Sequence, residues 1–243
     1  MGLGHSPRIV TDGLVLCLDA ANARSYPGTG TTWTDRSASG YDGTLTNMDA
    51  SNFSSDSAGF FNFDGVNEHV RTSFRINSGN TYSYSVWYKS SSTNHQNLIG
   101  SYQPGYSTLN LDINYTQSTN SASVGYISVF CQFGGNSSRY RFSNSNSINL
   151  SDGKWHNITC CAELGVQRGL YFDGQQVGTT VYQSSTGSYN STALDTWLGH
   201  PNIGGSLGGK GLVGSAGQFL IYNKFLESKE VLQNYEATKG RYA

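Results

Sequence analysis

The chain has 243 residues, 36% hydrophobic and only 13% charged, with a formal net charge of −1. That charged share is about half of the usual ~25%, and the basic residues form no run, which argues against broad electrostatic binding to nucleic acid or an anionic membrane. No apolar stretch approaches the ~18–20 residues that span a bilayer, and the N-terminus carries no apolar run of signal-peptide length. Synthesis in a cytoplasm without membrane insertion is therefore expected.

Turn signals recur along the chain, and the segments between them have strand length, which favours a β-sandwich. LVLCLDA (14–20) is an apolar run, followed by GTLTN (43–47). FFNFDG (60–65) and HVRTSF (69–74) alternate apolar and polar around DGVNE, and read as a hairpin. YSYSVWYKS (82–90) alternates over nearly its whole length, so one face is expected in the core and the other in water. Further strands are expected at 97–102, 108–115, 123–130, 139–143, 155–163, 169–178, 179–183, 196–201 and 214–224. Asp64-Gly65, Asp152-Gly153 and Asp173-Gly174 are turn dipeptides whose glycines accept positive φ.

One helix is expected, over KEVLQNYEATK, with Ser228 as N-cap, Glu230 and Lys239 complementing the macrodipole, and Gly240 as its stop. Val231, Leu232 and Tyr235 form its apolar stripe. A short arm, residues 1–12, precedes the first strand. Ile9 and Val10 make this arm the expected attachment element.

Cys17, Cys131, Cys160 and Cys161 lack metal-ligand spacing. Cys17 reads as a small buried hydrophobe, and only one of Cys160 and Cys161 can face the core. Trp87 and Trp155 are expected to fill the space between the sheets; Trp33 and Trp197 lie by loops, where core filling and ligand contact are evenly balanced.

Catalysis finds no support. A glycosidase needs two carboxylates brought together, as Glu-x-Asp-x-Glu would do on a strand, but Glu68, Glu163, Glu227, Glu230 and Glu236 are isolated or sit in the terminal helix. His5, His69, His95, His156 and His200 form no HxH or HExxH spacing. GGSLGGKG (204–211) lacks phosphate-loop spacing and reads as a loop. No catalytic, cofactor-binding or metal residue is assigned, and no enzyme activity is expected. A carbohydrate site would need rings and amides on one surface; the candidates are Tyr102, Tyr106, Asn110, Asn114, Tyr115, Tyr182 and Tyr189.

The order of the pieces is more telling than any one of them. DGLVLCLDAAN (12–22), SYPGTGTTWTDRSASGYDGTLTN (25–47), FNFDGVNEHV (61–70), YSYSVWYK, LSDGKWHNIT (150–159), LYFDGQQVG (170–178) and GLVGSAGQFLIYNKFLESKEVLQNYEATKGR (211–241) together resemble the concanavalin A-like, laminin-G-like jelly-roll family. The resemblance implies an all-β fold in which two sheets form a sandwich with one short C-terminal helix, spanning 1–243 as one domain. The termini are similar to those of tailed-bacteriophage virion proteins, of the kind found in cyanobacterial phages.

That similarity implies a non-enzymatic virion structural protein, a capsid decoration or tail-appendage component. Its partners would be other virion proteins, further copies of itself, or a host-surface glycan. The alternative is a carbohydrate-binding, lectin-like domain serving host adsorption. No cofactor is expected, although members of the family often hold a structural calcium ion. The candidate oxygens here are Asp19, Asp35, Asp64 and Asn67. Many relatives carry an acid in the closing strand where this chain has Gly217 and Gln218, which weakens the case for calcium.

Overall fold

The computed structural model describes residues 7–56, 59–75, 81–103, 106–114, 127–133, 136–142, 148–162, 168–177, 181–185, 195–200 and 210–242; at 102–103, 106–110, 128–133, 136–142, 162, 168 and 181–185 it describes backbone only. The strands are, in order, β1 (Leu14–Asp19), β2 (Thr32–Trp33), β3 (Gly43–Thr46), β4 (Phe53–Ser54), β5 (Phe60–Asp64) and β6 (His69–Arg75). Then come β7 (Tyr82–Lys89), β8 (Gln96–Gln103), β9 (Tyr106–Ile113), β10 (Ile127–Phe133), β11 (Asn136–Phe142) and β12 (Trp155–Ala162). The set closes with β13 (Arg168–Phe172), β14 (Gln175–Gln176), β15 (Val181–Ser185), β16 (Asp195–Leu198) and β17 (Val213–Tyr222), followed by α1 (Ser228–Thr238).

These strands form two antiparallel sheets, one of eight strands and one of nine. The first runs β14-β13-β12-β7-β17-β5-β4, with β1 also paired to β17. The second runs β15-β11-β10-β9-β8-β16-β6-β3-β2. This is the all-β two-sheet jelly-roll sandwich with a C-terminal helix that the sequence leads one to expect.

Alternation sets the core. Leu16, Leu18, Tyr84, Val86, Tyr88, Phe219 and Ile221 from one sheet meet Val70, Phe74, Leu98, Ile99, Leu111 and Leu198 from the other. Most of these side chains are wholly buried, and each contributes roughly 1.5–3 kcal/mol over an exposed position. Trp33 belongs here too, 0% exposed and 4.8 Å from Phe61 and 5.9 Å from Phe219 between ring centroids.

Several local expectations are corrected. β5 and β6 do not pair as a hairpin: β5 lies beside β17 and β6 beside β3 and β16. The Asp64-Gly65 turn, with Gly65 at φ 80°, carries the chain from one sheet to the other. Alternation cannot distinguish the two cases, because both leave one face of each strand inside. The hairpin prediction does hold at Asp173-Gly174, where φ values of 50° and 75° join β13 to β14 in the turn geometry Asp-Gly favours.

The supposedly wet face of β7 is dry. Ser83, Ser85 and Trp87 are 0%, 3% and 3% exposed, because α1 and the segment after it lie over the eight-stranded sheet. Trp87 and Trp155 therefore stand outside the inter-sheet core, stacked or tilted against Tyr242 at 4.6 and 4.9 Å. Cys160 faces between the sheets and Cys161 faces the helix layer, so alternation holds yet both are buried. Cys17 is buried as expected, and no disulfide links Cys17, Cys160 or Cys161; the side chain of Cys131 lies outside the described residues.

The helix begins one residue earlier than expected. Glu227 is the N-cap, its backbone N–H donating to Glu230 Oε2 at 3.0 Å, while Ser228 is helical and its hydroxyl shares a hydrogen bond with that of Tyr171 at 2.9 Å. Gly240 is not a left-handed stop; the helix tightens into a 3-10 turn over Lys239–Arg241. Leu232 is exposed, and the buried face is Val231, Asn234 and Thr238. Ile9 and Val10 pack against this layer, so the described part of the arm is folded onto its own domain.

Candidate functional site

The proposed calcium oxygens are not assembled. Asp19 opposes Gln218, whereas Asp64 opposes Val213; five residues of strand separate them, about 17 Å. The oxygens are also already in use. Asp35 Oδ1 accepts from the N–H groups of Cys17 and Ser37, both at 2.8 Å. Its Oδ2 accepts from the Ser37 hydroxyl at 2.7 Å and the Tyr41 N–H at 2.9 Å. Asp19 Oδ2 accepts from Arg241 at 2.7 Å, and the Asn67 carbonyl accepts from Asn47 at 3.1 Å. Among the described residues, no three acidic, histidine or cysteine side chains stand close enough to hold a metal ion.

Of the proposed sugar contacts, Asn114 is a buried structural residue at φ 52° whose amide donates to the Ser92 carbonyl and the Ser151 hydroxyl. Tyr115 and Tyr189 lie outside the described residues, as do the side chains of Tyr102, Tyr106, Asn110 and Tyr182. Register nevertheless aligns part of that set. Asn110 opposes Gly100, Gly100 opposes Trp197, Trp197 opposes Arg71, and Arg71 opposes Thr44. This transverse row crosses the nine-stranded sheet and meets the best-formed polar and aromatic cluster on its outer face.

Strand period places that cluster. In β6, Val70, Thr72 and Phe74 point inward, so His69, Arg71, Ser73 and Arg75 point out. In β16, Thr196 and Leu198 are buried, leaving Asp195 and Trp197 outside. The rings of His69 and Trp197 lie parallel, 3.9 Å apart at 1°. His69 Nδ1 is 2.9 Å from the Asn67 carbonyl, so Nδ1 carries the proton and donates. Burial, helped by His200 and Arg71, lowers the pKa of His69 despite that bond, so the ring is neutral at neutral pH. Trp197 Nε1 is buried without a hydrogen-bond acceptor among the described residues.

Beside this stack, Arg71 donates from Nε (3.0 Å) and from an Nη (2.6 Å) to Asp195 Oδ2, and Arg75 Nε donates to Oδ1 at 2.8 Å. Burial opposes the charge of Asp195, but the two guanidinium groups outweigh it and hold the carboxyl below its ordinary range. The guanidinium groups remain 58% and 60% exposed, while Asp195 is 12% exposed. One partly buried carboxylate thus braces two cations whose remaining N–H donors face water. Next along the sheet, Asn97 donates to Asp112 Oδ1 at 2.9 Å, and His95 Nε2 is 3.3 Å from the same oxygen.

Sequence reasoning missed this cluster, since Asp195 and Trp197 lie about 120 residues from His69, Arg71 and Arg75 and the set belongs to no motif. The placing of His69, Arg71 and Arg75 on the one outward face of HVRTSFR was the available signal. His156 was also undervalued. It lies between Asp173 (2.8 Å) and Asp152 (3.0 Å) with both ring nitrogens occupied, a structural clamp with no nitrogen left for base catalysis.

Two antiparallel sheets closed as a jelly roll with one C-terminal helix make the concanavalin A-like fold. The chain belongs to the concanavalin A-like lectin/glucanases superfamily, whose family model matches residues 63–232. No curated protein matches it in sequence. Among solved structures it is similar to the binding domain of botulinum neurotoxin serotype D, with 17% identity and a TM-score of 0.61 over 93% of this chain and 52% of that one. It therefore spans about half the length of that domain. It is also similar to domain 4 of AbnA, a GH43 extracellular arabinanase from Geobacillus stearothermophilus in complex with arabinotriose, with 13% identity and a TM-score of 0.60 over 93% of this chain and 100% of that one. A third likeness is to Trypanosoma rangeli sialidase in complex with 2,3-difluorosialic acid, with 14% identity and a TM-score of 0.57 over 95% of this chain and 34% of that one.

Proposed function

We propose that this protein is a non-enzymatic glycan-binding module whose site is the outer face of the nine-stranded sheet around Trp197. One observation carries the reading: the His69–Trp197 stack stands beside the Arg71–Asp195–Arg75 clamp on a partly solvent-open sheet face. An apolar ring surface next to fixed planar donors suits a saccharide, which presents C–H faces and hydroxyl edges together. The arabinotriose complex of AbnA domain 4 supports the same reading by analogy of fold.

The phage-like termini supply a setting, in which such a module serves host adsorption from a virion. The competing reading, assembly with other virion proteins and further copies of this chain through the arm, is less favoured because Ile9 and Val10 are taken up by the terminal helix layer. Glycan-array screening of the intact chain followed by calorimetric titration tests the proposal. A discrete saccharide set should bind at micromolar Kd, weakened about tenfold or more by Trp197→Ala and by Arg71→Gln, with unchanged circular dichroism. Binding indistinguishable from background, or retained in both variants, would overturn it.

A further inference from the structure

A second recess lies on the other side of the molecule. A cleft of about 430 Å³ is bounded by the arm, β1, the 3-10 turn after α1 and the loop that follows Trp33. That volume falls within the ~300–1,000 Å³ of small-molecule sites. Its lining includes Arg8, Arg36 and Arg241, with Asp19 and Gln218.

The charges do not cancel. Arg241 is paired with Asp19 at 2.7 Å, and that carboxylate is 8% exposed. Arg8 and Arg36 are exposed, and their side chains make no hydrogen bond or ion pair among the described residues. Two cationic forks therefore remain over a cleft whose one carboxylate is committed. Both are positioned by backbone: the Arg36 N–H donates to the Cys17 carbonyl at 2.8 Å, and the Arg8 carbonyl accepts from Gln233 at 2.7 Å.

Gln218 points to a ligand independently. It is 3% exposed, directly opposes Asp19 in the β1–β17 register, and lines the cleft. Its carboxamide makes no hydrogen bond among the described residues. Its polar atoms are not fully buried, so the amide is open to a ligand in the cleft. An oxyanion would take N–H donors from the amide and from the arginine forks.

We propose that this cleft binds a carboxylate or sulfate group, with Arg8 and Arg36 supplying charge and Gln218 supplying the neutral donor at its floor. Such a group could belong to a free small anion or to an acidic polysaccharide, and the site is separate from the sheet face around Trp197.

The test is calorimetric titration of the full chain with sodium sulfate, sodium glucuronate and a polyuronate, each against sodium chloride at matched ionic strength. Saturable binding is expected for at least one, weakened about tenfold in Arg36→Gln and further in the Arg8→Gln, Arg36→Gln double variant. Both are surface changes that should leave the melting temperature unmoved. Tighter binding of polyuronate than of glucuronate, per uronate, identifies the polymer as the source; equal binding identifies the free anion. No saturable signal beyond chloride, or equal binding by the double variant, overturns the proposal. Trp197→Ala must leave this binding intact. If it abolishes it, the anion binds at the sheet face and the cleft assignment fails while the glycan reading stands.

Discussion

Asn234 of the terminal helix accepts a hydrogen bond from the backbone N–H of Val10, 224 residues away, at 2.8 Å, and donates to the Tyr222 hydroxyl at 3.1 Å. Tyr222 in turn donates to the Val10 carbonyl at 3.0 Å. Three groups from the arm, β17 and α1 thus close a buried ring of hydrogen bonds. Within it, the Asn234 amide satisfies a backbone N–H that a strand partner would otherwise have to serve.

Replacing Asn234 with Leu keeps the volume but leaves the Val10 N–H and one side of the Tyr222 hydroxyl unmatched. Stability should fall by about 1–3 kcal/mol, read as a lower urea midpoint at unchanged m-value. Deleting residues 2–10 should cost at least as much, since Val10 itself is buried. A deletion variant as stable as the parent would show that the arm is not part of the folded unit.

His156 gives stability a pH dependence of defined sign. Burial works against the imidazolium, but hydrogen bonds to Asp173 and Asp152 outweigh it and raise the folded pKa above the ordinary 6.5. A raised folded pKa means that the contribution is complete below the unfolded value and is lost as pH rises through the folded one. The gap in melting temperature between the parent and His156→Gln should therefore be widest near about pH 5–6 and narrow towards about pH 9. A gap constant across that range would refute the charge-linked role.

Asp35 organises the loop between β2 and β3 with four accepted hydrogen bonds. Asp35→Ala should destabilise the fold by about 2–4 kcal/mol, because buried donors lose a charged acceptor. EDTA should leave the melting temperature of the parent within about one degree, since these oxygens are already filled by the protein. A large EDTA effect would place a cation on oxygens other than these.

The strands were legible because alternation is local. YSYSVWYK, WHNITCCA and HVRTSFR each announce one buried face. What covers the second face is not local, which is why Trp87 and Trp155 were misplaced: nothing in β7 or β12 encodes the tail whose Tyr242 lies on them. Asn234 and Thr238 lie outside the expected apolar stripe for the same reason, although both serve buried hydrogen bonds. The Asp64-Gly65 turn marks a reversal but not its destination. The Arg71–Asp195–Arg75 clamp was invisible because its carboxylate arrives on β16, 120 residues after Arg75.

The strand that joins the eight-stranded sheet is the last strand in the chain. β17 carries β7 along one edge and β5 and β1 end to end along the other. Until residues 213–222 emerge during synthesis, the β12–β7 ribbon and the β5 and β1 segments have no common neighbour, and their edges stay open. Pairing over such separations is slow even then, because loop-closure entropy is lost before the contacts form. A product cut short upstream of residue 213 would retain those bare edges, which template aggregation. Fragments ending there should be recovered as insoluble material.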